Sequence, residues 1–81
     1  MKLIKERFET YAREQGYENG ADMYDDMGLN RGAYEHYRNE VPINGQTLRI
    51  LCWNFGTVIV MDFVSITEIE QERYQDILDE F

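Results

Sequence analysis

The sequence predicts a mainly α domain of four to five short helices, with a short strand expected near 57–64. Three observations predict it. Apolar residues recur at helical spacing in several separate stretches. Helix-capping or chain-breaking residues (Gly16, Asn19, Gly28, Asn30, Gly56 and Thr67) fall between those stretches. A chain of 81 residues, 43% hydrophobic and 14% aromatic, has enough apolar surface for one core but not for two, so 1–81 reads as a single domain.

Leu3, Ile4, Phe8, Tyr11, Ala12 and Gln15 lie close to i, i+4, i+7, i+8 spacing, which makes an amphipathic first helix with Lys2, Lys5, Glu9 and Arg13 outside. Gly16 ends it. Asn19 suits the N-cap of a short second helix, in which Met23, Tyr24 and Met27 face inward. Gly28 then breaks the chain. Asn30 can cap a third helix over 31–39 that buries Ala33, Tyr34 and Tyr37, and Pro42 forbids its continuation. The second and third segments thus read as a helix-turn-helix.

"QTLRILCWNFG" sets Leu48, Leu51, Cys52 and Phe55 at i, i+3, i+4 and i+7, a helix ending at Gly56. The same letters, followed by "TVIVMDFVSI", also fit a hairpin about Phe55 and Gly56. The helix is preferred because its apolar stripe is complete, whereas a strand would leave Leu51 and Trp53 on one face opposite Ile50 and Cys52. The β-branched stretch 57–64 reads as extended, in one form as a short strand pairing with a partner chain. Ser65 or Thr67 can cap a last helix with Ile69, Tyr74, Ile77, Leu78 and Phe81 apolar. Thr67 and Glu70 have capping-box spacing.

The charge balance restricts function. Eight basic against 16 acidic residues give a net charge of −8, which opposes long-range attraction to nucleic acid. Its distribution is uneven: 1–15 carries four bases and three acids, 17–29 four acids and no base, and 62–81 seven acids and one base, Arg73. A DNA-facing surface must therefore be a neutral or basic island on an acidic body. The lone Cys52 excludes an intrachain disulfide and a CxxC knuckle and suits a reducing cytoplasm. With one His as well, neither a metal site nor a cofactor is expected. "MKLIKERFETYAREQ" lacks the apolar core of a signal peptide, and the run 57–64 is too short to span a bilayer, so a cytoplasmic protein without membrane association is expected. No nucleophile–base spacing and no Gly-rich phosphate loop point to an enzyme.

"GADMYDDMGLNRGAYEHYRNE" resembles the helix-turn-helix of the Cro/C1 repressor-type (XRE) domains: an apolar position, then Gly, a hydrophobe, a polar cap and a helix ending near Asn. "QTLRILCWNFG" is similar to the family's following helix, and the likeness covers about 3–63. "GLN…RNEVPINGQTLRIL" also looks like the N-terminal domain of Listeria-type anti-CRISPR proteins, in which such a domain represses its own operon. The resemblance implies a double-stranded DNA operator, with the cap at Asn30, base-reading positions at Arg31, Gly32 and His36, and phosphate contacts near Gly20, Arg38 and Asn39. Four positions depart from it: Gly20 stands where the family usually has Gln, Gly32 where a base-contacting side chain is typical, Tyr24 for Ala, and Glu40 for Gly.

Each candidate also has a plainer reading. Arg31, at the start of a helix, can donate a bidentate pair to guanine, or it can pair with Glu35 four residues on. Glu35 repels phosphate yet can accept from cytosine. His36 contacts a base or is simply exposed, and Arg38 touches phosphate or favours its helix C-terminus. Asp22, Asp25 and Asp26 form either a solvated face or a phosphate-like surface for a basic protein partner. Ile50 and Trp53, with Val58, Val60 and Phe63, form an apolar patch for a homodimer, or else extra core. Two functions follow as expectations: a phage- or mobile-element-like DNA-binding repressor, or a non-enzymatic anti-CRISPR or antirepressor-like factor with an acidic binding surface.

Overall fold

The computed structural model describes residues 1–28, Tyr37 and 43–81. In chain order these form β1 (Lys2–Leu3), α1 (Lys5–Glu14), α2 (Gly20–Asp26), α3 (Gly45–Phe55), α4 (Thr57–Phe63), β2 (Val64–Ser65), α5 (Glu68–Arg73) and α6 (Gln75–Glu80). The fold is mainly α, as the sequence predicts. Among the described residues there are six helices and one two-stranded sheet, in which β1 runs antiparallel to β2 with Lys2 opposite Ser65 and Leu3 opposite Val64.

Polar side chains satisfy the first amides of three of the six described helices. Asn19 accepts from the Asp22 amide at 2.9 Å to start α2, and Asn44 accepts from Thr47 at the same distance to start α3. Thr67 and Glu70 make the full capping box that starts α5. Gly16 and Gly28, both at positive φ, follow α1 and α2. The Gly56 backbone, at φ 81°, turns the chain from α3 directly into α4, a conformation that a side chain would strain.

Between 45 and 55 the chain is helical, with Leu48, Leu51 and Cys52 buried, so the hairpin alternative falls. The extended reading of 57–64 is corrected. Residues 57–63 form α4, and only Val64 and Ser65 are strand, paired within the chain to β1. The reason is burial. Val60, Phe63 and Val64 enter the core while Val58, Ile59 and Asp62 stay outside, a helical spacing that outweighs the β-branched preference for strand. Leu3 and Ile4 precede the first helix rather than belonging to it, and the Ile4 amide donates to Phe63 O at 2.7 Å. The last helix is two, divided at Tyr74, with Ile69 on the exposed side.

The core is a ring cluster. Phe8, fully buried, meets Phe63 edge-on at 5.1 Å, Tyr37 at 5.5 Å and Tyr24 at 6.2 Å between centroids. Phe55 extends the cluster to Tyr11 and Phe63. Leu48, Leu51, Val60 and Leu78 close it from the α3, α4 and α6 side.

The first residues clasp distant parts of the chain. Met1 O accepts from the Ile43 amide at 2.8 Å, and the Met1 ammonium donates to Glu70 Oε2 at 2.6 Å. That bond, joined by the Thr67 backbone amide, lowers the Glu70 pKa from its ordinary 4.5 to about 2. A depressed folded pKa contributes stability above the unfolded value that is lost as pH falls through the folded one. Urea titrations between pH 5 and 2 are therefore expected to show wild type weakening steadily below about pH 4.5 and Glu70→Gln weakening less across the same window. Parallel acid limbs for the two proteins would refute this coupling.

Candidate nucleic-acid interface

The DNA-reading candidates Asn30, Arg31, Gly32, Glu35, His36, Arg38 and Asn39 lie outside the described residues. What surrounds them in the chain is described. Upstream, α2 ends at Asp26 and Gly28 follows at φ 67°. Within the segment, Tyr37 is helical and buried, as the spacing predicts. Its ring packs on Phe8 and Tyr24, with Lys5 Nζ 4.9 Å from the ring centroid on one side. Its hydroxyl donates to Glu9 Oε1 at 2.6 Å. Burial and that hydrogen bond both raise the Tyr37 pKa, so the phenol stays protonated.

Glu9 Oε1 also accepts from the Gly20 amide at 2.9 Å, and so ties α1 to the start of α2 and to Tyr37 at once. This accounts for one of the departures from the repressor pattern. A Cβ on Gly20 would run into the Tyr37 hydroxyl and the Glu9 carboxylate, so the space a Gln would use there is already filled. Tyr24, where the repressor pattern would have a small residue, is a core ring buried against Phe8 and Tyr37. Sequence spacing marks Tyr37 as inward. It carries no signal for Glu9, which helical spacing sets outside and which in fact bridges three segments.

Three cations of the described surface pair with carboxylates. Arg7 reaches Asp62 Oδ1 at 3.6 Å and donates to its backbone oxygen at 3.0 Å, Arg13 lies 3.7 Å from Glu9, and Arg49 lies 2.8 Å from Glu80. Such exposed pairs add little stability, but each cancels positive charge that phosphate would otherwise meet. On α2, the Asp22 amide completes the Asn19 cap, and Asp25 is exposed. Asp26 is exposed too and accepts from the Tyr17 hydroxyl at 2.6 Å, a bond that raises the Tyr17 pKa.

The apolar patch is partly corrected. Val60 and Phe63 are core residues and cannot belong to it. Ile50 is half-buried, whereas Trp53 is 76% and Val58 87% exposed. Burial raises the Cys52 thiol pKa, so the sulfur stays protonated and inaccessible as a nucleophile. Glu6, Arg7, Thr10, Tyr11, Glu14 and Asp62 line an open groove of about 330 Å3 along α1, where Arg7 is already engaged with Asp62 of α4. Among the described residues, no group of three His, Cys, Asp or Glu side chains could hold a metal, and no helix is long and apolar enough to cross a membrane. Compared with known proteins, the chain matches no family model, no curated protein and no solved structure.

Proposed function

We propose that this protein is a small DNA-binding transcriptional regulator of the Cro/C1 type, a phage- or mobile-element-like repressor that acts as a homodimer in the cytoplasm. One observation carries the reading: a capped helix, α2, and a positive-φ Gly28 are followed nine residues later by a helical tyrosine fixed in the core by Phe8, Tyr24 and Glu9. A helix-turn-helix needs its second helix seated firmly on the first. On a helical wheel with Ala33, Tyr34 and Tyr37 inward, Glu35 and Asn39 fall opposite them, with Arg31 and Arg38 on one flank and His36 on the other. Arg31 then donates to guanine, and Asn30, Arg38 and Asn39 position the helix on phosphate.

The test is a gel shift at low salt on the DNA immediately upstream of the coding region. Wild type is expected to bind, with affinity falling roughly tenfold or more between about 50 and 200 mM salt. Arg31→Ala is expected to lose about 1–3 kcal/mol of binding and to discriminate less at one base position. Absence of any shift at low salt would sink the regulator.

A second reading has its own observation. Arg7, Arg13 and Arg49 are paired while Asp25 and Asp26 face solvent, an arrangement that suits a basic protein partner in an anti-CRISPR or antirepressor-like role. In that case Asp25→Lys abolishes partner capture and leaves DNA binding absent in both proteins.

A further inference from the structure

We draw no further inference here: the strongest candidate, the open groove along α1 between Glu6, Glu14 and Asp62, is a cluster of exposed carboxylates whose one cation, Arg7, is already held by Asp62, and among the described residues no buried polar side chain without a partner points to a ligand for it.

Discussion

Phe8→Ala lowers the unfolding free energy by about 3–5 kcal/mol, the usual range for deleting a fully buried aromatic. Phe8 has no exposed surface and touches Tyr24, Tyr37 and Phe63, so its removal withdraws a ring that four segments share. A domain of 81 residues has only about 4–12 kcal/mol in total, so this loss removes a large share of it. Urea melts should show a reduced midpoint with an unchanged slope. A loss below about 1 kcal/mol would mean that the ring cluster is not the core.

Gly20→Gln installs the residue that the repressor pattern favours and is nevertheless expected to destabilise, by about 1–3 kcal/mol. The new Cβ would occupy the space held by the Tyr37 hydroxyl and the Glu9 carboxylate, and the bond between those two groups must open to admit it. Tyr37→Phe removes the closest of these obstacles. The double variant Gly20→Gln, Tyr37→Phe should therefore lose less than the sum of the two single changes in the same urea measurement. Strict additivity would show that Gly20 is not confined by that contact. If the regulator reading holds, the same substitution also loosens the element that carries Arg31, so operator affinity falls with stability.

Much of the fold was legible because local chemistry and burial agree. The helix over 45–55 has an apolar stripe of Leu48, Leu51, Cys52 and Phe55 and a Gly56 stop, and each feature appears as read. Asn19 and the Thr67–Glu70 box followed from the requirement that the first amides of a helix find acceptors. Residues 57–63 misled because four successive residues, Thr57, Val58, Ile59 and Val60, prefer strand in isolation. Their helical state depends on Val60 and Phe63 reaching a core built by residues far away in sequence. β1 is two residues long, too short for any period to announce it. Of the candidate site, the inward Tyr37 was readable from spacing, whereas spacing left Trp53 open between a surface patch and extra core, and it is exposed. The Glu9 bridge was not, because its partners at 20 and 37 are joined to it by tertiary structure alone.

The clasp formed by the first four residues has a consequence for how the protein is made. They leave the ribosome well before the groups that hold them, which sit at 43, 63–65 and 70. At about 5–20 residues per second, Leu3, Ile4 and Phe8 wait several seconds without their final neighbours. Closing such long loops is slow and yields little until nearly every contact is available. A nascent chain stalled before Phe63 therefore cannot acquire the native arrangement, and the domain assembles late and as a unit.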